Sequence, residues 1–477
     1  MINGRLFRKL EKFLGLFIVA EVFSLIMVVA HRAIFDLDIW LHLKAGEFIA
    51  QNKIIPSTDI FSFTIQGKPW IDHSWLFQLL SYLAYSKWQT DGLIVLQCLL
   101  IILSFFVLFL MGYNLIKSYL EVAICIMVTA FASTTRFNIR PDIFSLFFFA
   151  SYLYLLRLHI DKRVIWLLVP IQVLWVNFHG YFFLGPLLVV FFIIAEFLRR
   201  KLKFLPRQWK EEFALSQAAY RRLKTLLLLV VLACFLNPHG YQGAFYPFYV
   251  LKEFLLGKVG IFLKYIQELQ PTLSLGRALG NYYYIIIIFC FSVMAINFRR
   301  LKIIEIILVI FFFLFSLSLR NIVFFLFVAY MIIVSYTAEA LKTISSNIRS
   351  LSLFRQRLLL LFKITAAAIF IVWLGLGIDR RLSQSYYDFE SKEFRSYLIG
   401  IDQRGYPKKA VDFISENNIP ANMFNDFNSG AYLIGRTYPK RRVFIDGRTE
   451  LYGPDFFQQY MKLLKGDIPT FERLIDK

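Results

Sequence analysis

Apolar residues occur along this chain in long runs, separated by shorter polar and often basic segments. A helix needs about 20 mostly apolar residues to cross the hydrocarbon core of a bilayer. About eleven runs approach that length, so the pattern predicts a polytopic α-helical membrane protein. The runs are 12–30, 91–113, 118–133, 141–157, 163–177, 181–198, 223–236, 281–297, 302–318, 320–339 and 357–378.

The longest polar interval between the early runs covers residues 31–90. Within it, 40–49 and 75–85 have helical amphipathic spacing, which is typical of helices lying in the membrane interface. Residues 60–65 alternate between apolar and polar side chains as a β-strand does. A second interval, 238–280, is rich in aromatic residues and indicates another interfacial segment.

The pattern changes at Asp379, where charged and polar residues become dense. We therefore predict a transmembrane domain at 1–378 and a small extracytoplasmic α/β module at 379–477. The sequence stops directly after an apparent helix, which indicates a module that is small or incomplete. The elements predicted in the module are a helix at 408–417, a strand at 442–446 and a helix at 454–465.

Composition and charge agree with a membrane protein. Of the residues, 58% are hydrophobic, which excludes an ordinary soluble domain. With the N-terminus inside, the cytoplasmic loops hold about twice as many basic residues as the opposite loops. The positive-inside rule therefore places the N-terminus in the cytoplasm and, with an odd number of spans, 379–477 outside. The net charge of +21 reflects this topology and the lipid-facing loops rather than nucleic-acid binding.

This topology places the short motifs rich in histidine, acids and amides on the outer face. They are Asp36-Leu37-Asp38 with His42, Asp72-His73, Arg140-Pro141-Asp142, Asn177-Phe178-His179-Gly180, Asn237-Pro238-His239-Gly240 and Arg320-Asn321.

The acidic pair Asp36 and Asp38 directly follows the first apolar run. Two carboxylates at this spacing can share Mg²⁺ or Mn²⁺ with phosphate oxygens, or one can accept the proton of an acceptor hydroxyl. The plainer interpretation is that an aspartate ends the helix and meets water. A zinc site built from the outer histidines is less favoured, because the chain has no HExxH-type pair.

Arginines at the outer face can bind phosphate with two parallel hydrogen bonds. Arg140 and Arg320 are the candidates, although Arg140 can also pair locally with Asp142. Arg136 is more simply a side chain that extends from a helix end to the interface. In the outer module, an Asp446–Arg448 pair stabilising a turn is the plain interpretation, and binding of an acceptor is the alternative.

The segment from Asp36 to Glu47 resembles the first outer loop of a family of bacterial multi-spanning proteins. That family is grouped with the GT-C glycosyltransferases, which include protein mannosyltransferases, aminoarabinose transferases and oligosaccharyltransferases. The chain departs from the family pattern at Ser74, where an acidic residue is expected after His73, and at Leu41, where a second tryptophan is expected. Further segments that resemble the family are Ile55–Thr64, Gly67–Leu76, the later outer motifs, Phe424–Leu433 and Phe444–Arg448.

The resemblance implies a GT-C-like glycosyltransferase of the inner or plasma membrane. Its donor would be a polyprenyl-phosphate-linked sugar among membrane lipids, and its acceptor extracytoplasmic, with inversion at the sugar. Asp36 and Asp38 would be catalytic, or ligands of Mg²⁺ or Mn²⁺ if a metal is used, and Asp446 and Arg448 would contact the acceptor. The residues predicted to bind the donor phosphate or substrate are His42, His73, Arg140, Asn177, His179, His239 and Arg320.

Two other function classes remain open on the sequence. A transporter or flippase of lipid-linked sugars is the first, although few ionisable residues lie within the spans and no inverted repeat is visible. A non-catalytic scaffold for envelope assembly is the second. The sequence has no Walker-type or GxGxxG loop, which argues against a nucleotide-sugar donor.

Overall fold

The computed structural model of the protein describes most of the chain. Most of 379–405 and the basic residues Lys203, Arg207 and Lys210 lie outside the described residues. The described residues are 4–202, 215–255, 260–272, 281–349, 353–381, 387–388, 393–394, 406–419, 422–467 and 469.

The predicted apolar runs all lie on helices. Six helices are long and apolar enough to cross a membrane by length and composition. The remaining helices of this set have 17 residues or fewer, so a total of eleven crossings stays a prediction. The helices are α1 (Gly4–Ala30), α3 (Trp75–Ile116), α4 (Tyr119–Ser133), α5 (Asp142–Leu158), α6 (Leu168–Phe178), α7 (Leu184–Lys201), α8 (Gln217–Ala233), α11 (Asn281–Ile296), α12 (Ile303–Phe315), α13 (Ile322–Arg349) and α14 (Leu353–Arg381).

Two of these helices differ sharply in burial. In α13, 89% of the apolar window Leu319–Ile344 is buried, and in α14 only 11% of the window Leu361–Asp379 is buried. A helix that is apolar on all sides belongs either in a core or in lipid. We therefore place α13 at the centre of the bundle and α14 at its lipid-facing edge.

The interval 31–90 is ordered and mostly packed against the bundle. Its first helix, α2 (Ile39–Asn52), confirms the helix predicted at 40–49. Helix α3 then begins at Trp75 and is broken at Gln89, whose φ is 52°, so the predicted helix 75–85 and the run 91–113 join across a kink.

The strand predicted at 60–65 is wrong. The segment forms one isolated bridge, between Ser62 and Val443. The carboxylate of Asp59 accepts hydrogen bonds from the backbone N–H groups of Phe61 and Ser62 and from the Ser62 hydroxyl. Such local side-chain bonds compete with a strand ladder, and alternation alone does not reveal them.

The second outer interval contains α9 (Tyr241–Leu255), α10 (Gly260–Tyr265) and a 3₁₀ turn at Gln267–Leu269. Tyr241, Phe245 and Phe248 of α9 are exposed, as the prediction of an interfacial segment requires.

The C-terminal segment is mainly helical in its described part. The helices predicted at 408–417 and 454–465 are confirmed, whereas the strand predicted at 442–446 is wrong, because Val443 makes only single bridges to Ser62 and Met423. The elements are β1 (Tyr387–Asp388), β2 (Glu393–Phe394), α15 (Lys408–Glu416), α16 (Gly430–Thr437), α17 (Thr449–Tyr452) and α18 (Pro454–Leu463), and β1 pairs with β2 antiparallel, Tyr387 opposite Phe394.

The described residues within 406–467, here called the outer segment after their predicted location, pack directly on the interval 31–90. Trp40 of α2 makes edge-to-face contacts with Tyr85, Tyr406 and Tyr432. The Thr64 hydroxyl donates to the carbonyl oxygen of Phe444 over 2.6 Å. The outer segment therefore shares a core with the membrane part, and the boundary predicted at residue 378 stays a prediction.

Candidate active site

The acidic pair meets Arg140, which the sequence places about a hundred residues away. Arg140 binds both carboxylate oxygens of Asp36, with Nη2 at 3.0 Å from Oδ1, and its Nη2 lies 3.3 Å from Oδ2 of Asp38. The backbone N–H of Asp38 donates to Oδ1 of Asp36 over 3.1 Å. The two-residue spacing thus lets one guanidinium hold both carboxylates just before α2 begins.

The two aspartates have different surroundings. The side chain of Asp36 is 5% exposed and fully engaged by Arg140, whereas that of Asp38 is 41% exposed. Burial of the region and the neighbouring charge of Asp36 raise the pKa of Asp38 to about 7, although Arg140 opposes the rise. Asp38 is therefore the carboxylate that can both reach a ligand and exchange a proton near neutral pH.

A second layer of charge supports this pair. Arg140 also binds Glu268, and Arg136 pairs with Asp142 and lies 3.4 Å from Oε1 of Glu268. Burial alone would raise the pKa of Glu268, but Arg140 and Arg136 hold it below its usual value. Glu268 was missed in the sequence analysis, because one acid in a short 3₁₀ turn carries no spacing signal.

Three of the predicted histidines lie near one another: His179 is buried, and His42 and His73 are half-buried. Arg320 lies close to His73 and His179. The His73 ring stacks on Tyr246 at 4.5 Å and lies 6.2 Å from the ring of His179. The ring of His42 meets Phe77 edge-on at 5.1 Å.

Burial lowers the pKa of His42 to about 3 and that of His73 to about 4, and it also lowers the pKa of His179. These imidazoles are neutral at physiological pH. They can offer hydrogen bonds to a ligand, but positive charge for a phosphate has to come from elsewhere.

Arg320 supplies a cation beside these imidazoles. Its guanidinium carbon lies 5.7 Å from the ring centre of Tyr181, whose hydroxyl donates to Oδ1 of Asn321 over 2.5 Å. Among the described residues, the buried Nε of Arg320 has no hydrogen-bond partner. An anionic oxygen is the natural partner for this donor.

His239 and Asn177 join outer loops to one another. The backbone N–H of Asp72 donates to Nε2 of His239 over 3.1 Å. Asn177 accepts from Nε1 of Trp75 over 2.8 Å and donates to the carbonyl of Leu236 over 2.9 Å. These bonds hold the ends of α6 and α8 against the start of α3, while substrate binding by either residue stays a prediction.

Asp446 and Arg448 form a buried clamp. Arg448 donates to both oxygens of Asp446 over 2.8 and 2.7 Å and to Oδ1 of Asp59 over 2.6 Å, and its guanidinium stacks on Trp70 at 4.7 Å. The Tyr452 hydroxyl donates to Asp446 over 2.9 Å. This geometry agrees with the plain interpretation, in which the Asp446–Arg448 pair stabilises a turn. Contact of the pair with an acceptor stays a prediction.

The carboxylates do not form a ready metal site. Within the described residues, no group of three or more histidine, cysteine or acidic side chains is arranged to hold an ion. Arg140 occupies the space between Asp36, Asp38 and Glu268, which a shared cation would need. A metal would have to displace this guanidinium.

Comparison with known proteins identifies the fold. No protein-family model and no curated protein matches the sequence. The crystal structure of the Archaeoglobus fulgidus oligosaccharyltransferase in the apo form is similar with a TM-score of 0.53 at 12% identity, over 91% of this chain and 64% of that chain. The same protein in complex with Zn and sulfate gives 0.50 at 13% identity, over 90% and 62%.

ArnT from Cupriavidus metallidurans bound to undecaprenyl phosphate has a TM-score of 0.38 at 12% identity, over 77% of this chain and 70% of that chain. The chain spans about two thirds of the length of the archaeal oligosaccharyltransferase, 64% of it. At such identity the similarity concerns the architecture alone. The chain has a GT-C-like fold, as the resemblance of its outer motifs implied.

Proposed function

We propose that the protein is an integral-membrane glycosyltransferase that moves a sugar from a polyprenyl-phosphate-linked donor to an extracytoplasmic acceptor. The observation that carries the proposal is the convergence of Asp36, Asp38, Arg140 and Glu268 at one end of a GT-C-like helix bundle. Four charged side chains from distant parts of the chain are costly to gather and desolvate, which is typical of a functional site.

Asp38 is the proposed general base. Its exposed carboxylate, with a pKa of about 7, can accept the proton of an acceptor hydroxyl as the oxygen attacks the anomeric carbon. Attack from the face opposite the leaving phosphate inverts the configuration. Asp36 positions this base, since it fixes Arg140 and accepts the N–H of Asp38.

The leaving phosphate would bind on the side of the histidines. Among the described residues the buried Nε of Arg320 has no partner and can donate to the phosphate, and the neutral rings of His42, His73 and His179 offer further hydrogen bonds. Bidentate binding by a guanidinium neutralises charge that develops on the departing phosphate. In this arrangement the polyprenyl chain extends among the lipid-facing helices, and the sugar lies between Arg320 and Asp38.

Mg²⁺ or Mn²⁺ at Asp36 and Asp38 stays a separate prediction. Because Arg140 already bridges the two carboxylates, the described residues fit a permanent guanidinium better than a shared ion. The present mechanism therefore uses Arg140 and routes no step through a metal. Transfer rates measured with a chelator and with added Mn²⁺ test this point.

The decisive experiment is a profile of surface glycans and lipid-linked sugars in cells that lack the gene. We expect one surface sugar to disappear and a polyprenyl-phosphate sugar to accumulate, with rescue by wild type but not by Asp38→Asn or Asp36→Asn. Asp412→Asn is a matched control, because Asp412 is a carboxylate of similar exposure in the outer segment, 37% against 41%.

Other outcomes assign other functions. Full rescue by both acidic-pair variants would overturn the proposed role of the pair. Cells that lack the gene could also lose translocation of the lipid-linked sugar while still transferring the sugar to its acceptor in a direct assay. That result would indicate a transporter or flippase. An unchanged glycan and lipid profile would contradict the transferase and favour the envelope scaffold.

A further inference from the structure

The outer segment touches the acidic motif at two points. The Tyr406 hydroxyl donates to the backbone carbonyl of Asp36 over 3.0 Å. Gly447 lies so close to Asp38 that a Cβ added to it would be 2.8 Å from Oδ1 of the carboxylate. The proposed base is therefore held between its own loop and a turn that lies more than 400 residues later in the chain.

The turn that carries Gly447 is fixed from both sides. Arg448 ties it to Asp59 through the buried clamp, with Asp446 in the same clamp. Asn425 accepts the N–H of Phe444 and donates to the carbonyl of Ile445, both over 2.8 Å. These hydrogen bonds and ion pairs therefore fix the turn next to the Asp38 carboxylate.

Space, rather than backbone freedom, explains glycine at position 447. Its φ does not lie in the left-handed region, unlike that of Gly453 at 81°. An alanine would therefore adopt the same backbone conformation without strain. Its methyl group, however, would press on Asp38.

We infer that Gly447 is a positioning residue for the acidic pair, and that the clamped turn Asp446–Arg448 sets the position of the Asp38 carboxylate and the space left for the acceptor hydroxyl. This inference rests on the proposed function. It gives the outer segment a role inside the reaction site, in addition to any acceptor binding elsewhere on its surface.

The test compares three glycine-to-alanine variants of the full-length protein. Gly447→Ala should lower kcat by about 10²-fold, since small displacements of a reacting group have effects of that size, with the KM for the lipid-linked donor little changed. Gly435→Ala tests the packing of the same segment, because its Cβ would meet the Cβ of Trp40 on α2 at 2.8 Å and its nearest contacts do not include the Asp38 carboxylate. Gly260→Ala has open space and should behave as wild type.

A double variant shows whether the effect passes through Asp38. If the effect passes through Asp38, Gly447→Ala should cause no further loss of activity in a protein that already carries Asp38→Asn. In the wild-type background, Gly447→Ala should change the acidic limb of the pH–rate profile. Equal losses for Gly447→Ala and Gly435→Ala, or additive losses in the double variant, would overturn the inference and indicate a general docking defect.

A measurement without activity separates this inference from the proposed function. Asp38→Cys combined with Gly447→Cys should form a disulfide upon mild oxidation in membranes, whereas Asp38→Cys with Gly466→Cys should not. Mass spectrometry of the linked peptides reads the result. If the disulfide does not form, the placement of the turn next to Asp38 is wrong. If the disulfide forms but the wild-type protein transfers no sugar, only the proposed reaction is wrong.

Discussion

Two arginines in this protein each hold carboxylates from distant segments, yet their surroundings differ. Arg448 and its partners Asp446 and Asp59 are closed off, with side chains 6%, 0% and 0% exposed. Arg140 is 21% exposed, and its partner Asp38 is 41% exposed. The same pairing chemistry thus forms a buried clamp in one place and an accessible site in the other.

The protonation of the carboxylates follows from this difference. Burial would raise the pKa of Asp446, but Arg448 more than offsets it and holds the pKa below its usual value. At the other arginine, burial of the region and the neighbouring charge of Asp36 raise the pKa of Asp38 to about 7, although Arg140 opposes the rise. Asp38 is thus left with a raised pKa and can accept a proton near neutral pH, whereas Arg448 keeps the pKa of Asp446 low.

Removing the arginine of the clamp should have the largest effect on stability. We expect Arg448→Gln to lower the free energy of unfolding by about 3–5 kcal/mol, because it leaves Asp446 and Asp59 buried without a counter-charge. Arg140→Gln should cost less, since two of its three partners, Asp38 and Glu268, reach solvent. Thermal unfolding of the purified proteins in detergent measures both, and equal losses would contradict the distinction between clamp and site.

Removing the arginine of the site should instead affect the reaction. We expect Arg140→Gln to lower kcat by about 10²–10³-fold, the range for loss of one preorganised electrostatic donor. Arg140→Lys should be intermediate, because a lysine keeps the charge but cannot bind Asp36 with two bonds. Initial rates at saturating donor check this, with the half-buried Arg442→Gln as the control. Wild-type rates for Arg140→Gln would remove Arg140 from the mechanism.

Arg320 should act on binding of the donor. Arg320→Gln is expected to raise the KM for the lipid-linked donor about tenfold, equivalent to about 1.4 kcal/mol, with a smaller change in kcat. Titration of the donor separates the two constants. Wild-type values of both KM and kcat in this variant would contradict a phosphate-binding role.

The pH–rate profile should report the shared charge at Arg140. Asp38 acts as a base only when deprotonated, so the rate should rise as pH passes its pKa of about 7. Glu268 is one of the charges that raise this pKa, so Glu268→Gln should move the acidic limb of kcat/KM to lower pH. An unchanged limb in this variant would show that another group controls the rate.

The smallest expected effect concerns Asp72, a carboxylate without an arginine partner in the described structure. Burial raises its pKa to about 7, and its Oδ2 has no hydrogen-bond partner among the described residues. The folded state prefers the protonated acid, so this stability is fully present below the unfolded-state pKa of 3.8 and is lost as pH rises from there to about 7. Asp72→Asn cannot ionise and should melt about 2 °C or more above wild type at pH 8.5, with the difference shrinking as the pH is lowered towards the unfolded-state pKa.

Apolar periodicity predicted the positions of the helices well. Each predicted run lies on a helix, and the amphipathic helices at 40–49 and 75–85 are confirmed. Both predicted strands, 60–65 and 442–446, are wrong for a common reason. Each segment is extended, but bridges at Ser62 and Val443 replace a ladder because side chains such as Asp59 and Asn425 take the backbone hydrogen bonds.

The candidate site was predictable in part. Asp36, Asp38 and Arg140 stand out in the sequence because they belong to short polar motifs at the ends of apolar runs. Glu268, Asp59 and Gly447 do not, since each is a single residue in a polar loop. Their importance depends on what lies opposite them, and no local pattern encodes this.

The sequence alone determined that the chain has membrane-type helices, because burial in lipid demands apolar length, and that its polar motifs fall between them. Only the tertiary structure decided which of those motifs meet. Arg140 could have paired with Asp142 two residues on, yet it binds Asp36 and Glu268, while Arg136 takes Asp142. Which charges pair depends on how strongly each is desolvated and on the distances between residues far apart in the sequence. Both are set only when the chain has folded.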